Sequence, residues 1–163
     1  LSIQGGKPIV AIEDGDDLPD GAVYIRESEV RLAAGAGQVS FSEDQDSRAV
    51  PYMNAWLRAQ GIKPRNARRF RVRGDSMNET LHDGDTVLVD IDDKRVVDGK
   101  VYAITVDGEF RVKRLYKRIT GGLVIHSDNE RHLPRDEELS AEEVDEHVHI
   151  VGRVKDKSGS GGL

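Results

Sequence analysis

Two side chains open this sequence to chemistry. Ser76 follows directly on Gly74 and Asp75 at the end of a β-rich run, Phe70 to Arg73. A serine placed after such a turn is exposed, and it becomes a nucleophile only when a base takes its proton. Taken alone, Gly-Asp-Ser is a common turn whose hydroxyl is satisfied locally. The second side chain is Lys113. Asp107-Gly108 between two alternating runs marks a two-residue hairpin, because a type I′ turn needs positive φ at both central positions. Counting outward from it, Val106 faces Glu109, Ile104 faces Arg111 and Tyr102 faces Lys113. Lys113 therefore shares a sheet face with Tyr102, Ile104, Val106 and Leu115. A lysine drawn out of water has its charged form disfavoured, which makes it a usable base nearer neutral pH. On the hairpin alone, a lysine snorkelling from an edge strand to solvent is the better reading.

The elements that must position these groups are mostly strands. Residues 1–22 are rich in Gly, Asp and Pro and read as a linker or arm. Val23 to Ile25 starts a strand. Arg31 to Gly37 is a run of small residues that reads as an accessible loop. Between Ser47 and Gly61, Met53, Trp56 and Leu57 fall at i, i+3 and i+4, which predicts one short amphipathic helix. Beyond it come β-rich runs at Phe70–Arg73, Thr86–Ile91, Lys100–Val106, Glu109–Leu115, Gly122–His126 and His147–Val154, separated by turn signals. Residues 155–163 read as a flexible tail, Gly/Ser-rich from Ser158 onward. The expectation is a mainly β domain over residues 23–154, built of short twisted sheets with one short helix.

Composition narrows the classes. The 163 residues suffice for one cored domain with arms. The absence of cysteine removes disulfides and thiol chemistry and fits a reducing cytoplasm. No apolar run is long enough to span a bilayer as a helix, so no membrane role is expected. A net charge of −6 argues against nucleic-acid binding as the main task of these residues. Arg48 to Arg73 nevertheless carries eight basic residues and no acidic one, and Asp136 to Glu146 is strongly acidic. Both read as solvated faces or partner contacts. The five histidines are too scattered for a helical zinc motif, and neither metal nor cofactor is implied. The chain opens on Leu1 rather than Met, which leaves room for an upstream module.

The ordered set Arg73-Gly74-Asp75-Ser76-Met77, Asp83-Gly84-Asp85-Thr86-Val87-Leu88-Val89 and Val112-Lys113-Arg114-Leu115 resembles the LexA-type self-cleaving peptidase domain. Ser127-Asp128-Asn129 and the closing strand His149 to Val154 are similar to the family too, and the likeness runs from about Val23 to Val154. Trp56-Leu57-Arg58 with Gly61 looks most like phage-type repressors that carry a helix-turn-helix domain upstream.

The resemblance implies a serine-lysine dyad with Ser76 as nucleophile and neutral Lys113 as general base. Backbone amides of Asp75, Ser76 and Met77 would stabilise the oxyanion. It implies a cut in a loop at about residues 31–38, at Ala34-Gly35, with Ala36-Gly37 as the alternative. It further implies a homodimer, operator DNA bound through an N-terminal domain outside this chain, and a RecA filament on single-stranded DNA as trigger in the response to DNA damage. Three alternatives stay open. An antirepressor could take the place of RecA. The domain could be a non-catalytic dimerisation and antirepressor-binding module, or an accessory subunit of a mutagenesis polymerase. Ser127-Asp128-Asn129 itself reads as a turn after a strand.

Overall fold

The computed structural model describes residues 21–32 and 39–159. The chain runs β1 (Ala22–Ile25), β2 (Ser28–Leu32), β3 (Val39–Glu43), β4 (Val50–Met53), α1 (Asn54–Ala59), a 3-10 turn at Pro64–Asn66 and β5 (Ala67–Arg71). It continues through β6 (Thr86–Asp90), β7 (Lys100–Val106), β8 (Glu109–Lys117), β9 (Leu123–His126), β10 (Asp136–Leu139), α2 (Ala141–His147) and β11 (Val148–Ser158). A seven-stranded sheet, in the order β10-β9-β8-β7-β11-β6-β5, is joined by the two-stranded ribbons β1-β4 and β2-β3. All paired strands run antiparallel. The fold is mainly β, as its alternating runs and turn residues dictate.

Period-two alternation divides the core. Phe70, Val72, Val87, Val89, Ala103, Val112 and Val151 form one cluster, which Met77 and Leu81 complete. Tyr102, Ile104, Leu115, Leu123, Ile125 and Val148 form another. In β6 the intervening Leu88 joins Ile25, Leu57, Ile62 and Ala67 in a third. A strand covered on both faces reads as an uninterrupted apolar run, and Val87-Leu88-Val89 is such a run. Among the described residues no helix is long and apolar enough to cross a membrane.

Several local expectations change. The helix expected between Ser47 and Gly61 is confined to Asn54–Ala59, because Val50–Met53 is drawn into a strand against β1. Only Leu57 of its apolar trio is buried; Met53 and Trp56 stay exposed, with Trp56 beside Tyr52 at 5.9 Å between ring centroids. A second short helix, α2, is added within the acidic stretch. Its Ser140 hydroxyl accepts from the Glu143 amide while the Glu143 carboxylate accepts from the Ser140 amide, a capping box written as Ser-x-x-Glu in the sequence.

The stretch read as an accessible loop from Arg31 onward begins as strand. Arg31 and Leu32 end β2, paired with Ser40 and Val39 of β3. The resulting hairpin lies against the main sheet. Val30 and Phe41 pack on the first core cluster, and the Phe41 ring sits 6.0 Å from that of Phe70. At its base Glu27 bridges Arg69 and takes a two-pronged ion pair from Arg71. At its far end the Leu32 side chain reaches the β7-β8 turn, where a Cβ added to Gly108 would lie 3.1 Å from Leu32 Cδ1. Residues 33–38, which carry Ala34-Gly35 and Ala36-Gly37, lie outside the described residues.

Candidate active site

The β7-β8 hairpin places the lysine. Asp107 and Gly108 hold φ of 49° and 84°, the two positive values a type I′ turn needs, and the register pairs Val106 with Glu109, Ile104 with Arg111 and Tyr102 with Lys113. Lys113 is consequently on the Tyr102 face and is only 6% exposed. Burial and the neighbouring Arg111 guanidinium hold its amine below the ordinary lysine range, against the opposing pull of Glu137, Glu109 and Asp75. Arg111 itself is paired with Glu109 at 2.9 Å and Glu137 at 3.5 Å, so much of its charge is answered locally.

The serine is placed by the segment between β5 and β6. Val72 ties this segment's ends together, donating its N–H to Asp85 O at 2.7 Å and accepting at its carbonyl from Gly84 N at 2.9 Å. Gly74 takes φ of 82°, a left-handed turn costly for other residues, and its amide donates to Asp83 Oδ1 at 2.7 Å. Met77 is 1% exposed and plugs the first core cluster, which leaves the preceding Ser76 half-buried at the surface.

Ser76 and Lys113 line one cleft of about 900 Å³, together with Asp75, Met77, His132 and Glu137. Its opposite wall is the base of the β2-β3 hairpin, Glu27 to Val30. Its floor includes the Glu109–Lys113 half of β8, whose outer edge carries no strand among the described residues because β9 pairs only from Arg114 onward. The amides and carbonyls of Phe110 and Val112 face that open edge, since Arg111 and Lys113 use theirs on β7. An extended peptide laid there would meet both a hydroxyl and an amine.

The structure also brings in a segment that sequence reasoning left as a turn. The Lys113 ammonium donates to Ser127 Oγ at 2.8 Å and forms no hydrogen bond with Ser76. Asn129 ties down the nucleophile's backbone: its amide donates to Ser76 O at 3.0 Å and its side-chain Nδ2 to Asp75 O at 2.9 Å. Asp128 accepts from Arg114 Nε and Nη2, at 2.8 and 2.6 Å, and from Thr80 Oγ1 at 2.5 Å. Burial pushes the Asp128 carboxyl up, but the hydrogen bonds from Arg114 and Thr80 outweigh it and hold the group below its usual range. One tripeptide thus touches the serine's loop and the lysine's strand together. Its sequence signals were its place after a strand and its likeness to the family, and neither assigns it a partner.

A fold of this kind, with a serine and a buried lysine across one cleft, defines a class. The profile of the Peptidase S24-like family matches residues 27–155, and the chain belongs to that family. Among individual proteins it is 35% identical over 143 residues to the HTH-type transcriptional regulator PrtR of Pseudomonas aeruginosa, covering 87% of this chain and 53% of that protein. It is 36% identical over 140 residues to repressor protein CI of Enterobacteria phage phi80, covering 84% and 56% respectively. An uncharacterized HTH-type transcriptional regulator of Haemophilus influenzae is 28% identical over 127 residues, 78% of this chain and 52% of the relative. The chain spans about half the length of these relatives.

Proposed function

We propose that this chain is the self-cleaving and dimer-forming portion of a cytoplasmic transcriptional repressor, which inactivates itself by cutting its own Ala34-Gly35 bond, or failing that Ala36-Gly37. The observation that carries the reading is the buried, pKa-lowered Lys113 in the same cleft as the half-exposed Ser76. The neutral amine of Lys113 takes the Ser76 hydroxyl proton as the oxygen adds to the Ala34 carbonyl carbon. Backbone amides of Asp75, Ser76 and Met77 receive the oxyanion. The intermediate collapses by breaking the carbon-nitrogen bond, and the lysine ammonium returns its proton to the departing Gly35 amine. Water, deprotonated by Lys113, then hydrolyses the Ala34-Ser76 ester and restores the hydroxyl.

The substrate is part of the same chain, so its effective concentration is high and turnover on other proteins is not required. Separating a DNA-binding module from a dimerising one removes the affinity that paired half-sites confer, so cutting derepresses the regulated genes. A RecA filament on single-stranded DNA is the proposed stimulus, acting on the position of the cleavable loop rather than lending catalytic groups. The pairing of Lys113 with Ser127 instead of Ser76 favours a second reading, in which the domain keeps the fold as a dimerising, antirepressor-binding module and does not cut.

One experiment separates the two. Alkaline incubation of the protein should yield two fragments, with mass spectrometry placing the new N-terminus at Gly35 or Gly37. Ser76→Ala and Lys113→Ala should each abolish the cut while leaving the thermal transition in place. Persistence of the same cut, at the same rate, in Ser76→Ala would refute the peptidase reading.

A further inference from the structure

The geometry points to Ser127 as the positioning residue of the base: its hydroxyl oxygen holds the Lys113 nitrogen in the orientation from which the amine can turn its lone pair to Ser76. This rests on the proposed self-cleavage and names the part that reading lacks, namely what keeps a flexible four-carbon side chain aimed into the cleft.

Ser127 is suited to that task. At 2% exposure it is sealed from the cleft, whereas Ser76 is open to it, so Ser127 is not placed to attack a peptide. Its own position is fixed from two sides. Its amide donates to Arg135 O at 2.8 Å, and its carbonyl accepts from Arg135 Nε at 3.3 Å. The neighbouring Asp128 is anchored on Arg114 and Thr80, and Asn129 on the Asp75-Ser76 backbone. A hydroxyl so held can take an N–H from lysine in either protonation state. In the neutral amine, an N–H committed to Ser127 leaves the lone pair to point elsewhere, and the cleft with Ser76 is the open direction. Mispointing a reacting group by about 1 Å costs on the order of a hundredfold in rate.

The same contact has a consequence for pH. An oxygen that accepts from the ammonium favours the charged form, so Ser127 opposes the lowering that burial imposes on Lys113. The other charged and titratable groups facing this amine are Arg111 and Glu109 on its own strand, Glu137 on β10, and Asp75 with its neighbour His132 across the cleft. None of them is altered by a change at Ser127.

The test is the pH-rate profile of self-cleavage in Ser127→Ala, Ser127→Cys and Ser127→Thr, each checked for a cooperative thermal transition. Ser127→Ala should cut about a hundredfold more slowly at its alkaline plateau, with the midpoint of the profile moved to lower pH. Ser127→Cys keeps the volume with a weak acceptor and should behave like alanine; it supplies the measurement if the alanine variant does not fold. Ser127→Thr retains the hydroxyl and should restore both plateau and midpoint to near the parent's. A parent-like plateau in Ser127→Ala, or a slower plateau with an unmoved midpoint and no rescue by threonine, would overturn the assignment. Cutting that survives Ser76→Ala or Lys113→Ala would instead sink the self-cleavage reading itself, so the two failures are distinguishable.

Discussion

The buried amine should be visible in the stability of the fold as well as in its chemistry. Consider Lys113→Met, made in a Ser76→Ala background so that neither protein can cut itself during the measurement. Methionine matches the length and apolar stem of lysine without the charge, and the site is nearly closed to solvent. With its folded pKa lowered, Lys113 binds a proton more readily in the unfolded chain than in the folded one. The folded state with lysine is therefore penalised in full below the folded pKa, and the penalty is relieved as pH rises from that value to the unfolded value of about 10.4. Methionine has no such dependence. The stability advantage of Met over Lys should be constant at low pH, then shrink by about 1.4 kcal/mol for each pH unit inside the window. For a domain of this size that is roughly 4 °C of Tm per pH unit. Any fixed loss from stranding the Ser127 hydroxyl shifts the whole difference without tilting it. Paired thermal unfolding by circular dichroism from about pH 6 to pH 10 reads the slope directly, and the pH at which it begins should coincide with the midpoint of the cleavage profile of the parent. A Met-minus-Lys difference that stays flat with pH while both proteins are folded would refute the lowered lysine pKa, and with it the argument for Lys113 as base.

Two further perturbations test the supports of the site. Asp128→Ala removes the acceptor of two Arg114 bonds and one from Thr80, and should cost about 2–4 kcal/mol at neutral pH; because the Asp128 carboxyl is held low, that cost should persist above the usual carboxylate range and fade as pH falls through the folded pKa, which acid-side melting curves would show. Gly108→Ala forces a side chain into the left-handed turn and toward Leu32, and should destabilise by about 1–2 kcal/mol, whereas Gly108→Asn should lose much less because asparagine tolerates that conformation; equilibrium denaturation of the pair checks the ordering.

How much of this was legible beforehand depended on whether the information was local. Asp107-Gly108 fixes a turn, the turn fixes a register, and the register places Lys113 opposite Tyr102; each step spans a few residues, and the structure has that pairing. Val87-Leu88-Val89 likewise announces a doubly covered strand. Ser127 was not legible as a partner of Lys113. That contact requires β9 to pair with β8 from Arg114↔His126 onward, and it requires the following turn to fold back over the base of the cleft. Nothing within Ser127-Asp128-Asn129 encodes either condition, and the tripeptide is a turn in most settings. Ser-Glu-Val-Arg-Leu and Val-Ser-Phe-Ser-Glu do alternate as strands, but the small residues between them drew the loop boundary inward to Arg31. The capping box at Ser140 and Glu143 is written locally as Ser-x-x-Glu, inside a stretch whose acidity alone reads as a solvated face.

The nearness of the Leu32 side chain to the β7-β8 turn bears on the proposed cut. Lys113 lies five residues along β8 from Gly108, roughly 16 Å at the rise of a strand. Ala34 and Gly35 follow Leu32 so closely that even a fully extended chain carries their shared bond only about 7–10 Å beyond it. On the self-cleavage reading, the proposed bond therefore starts within a short span of Leu32, on a hairpin whose Val30 lines the cleft of Ser76 and Lys113. The contacts that set where this hairpin rests are those of Val30 and Phe41 on the first core cluster and of Leu32 at the turn. On that reading the cleavage rate would be the intrinsic chemical rate multiplied by the fraction of molecules whose scissile bond lies in the cleft. Cutting in cis, as proposed, would run as a first-order clock indifferent to protein concentration, with these apolar contacts contributing to its setting.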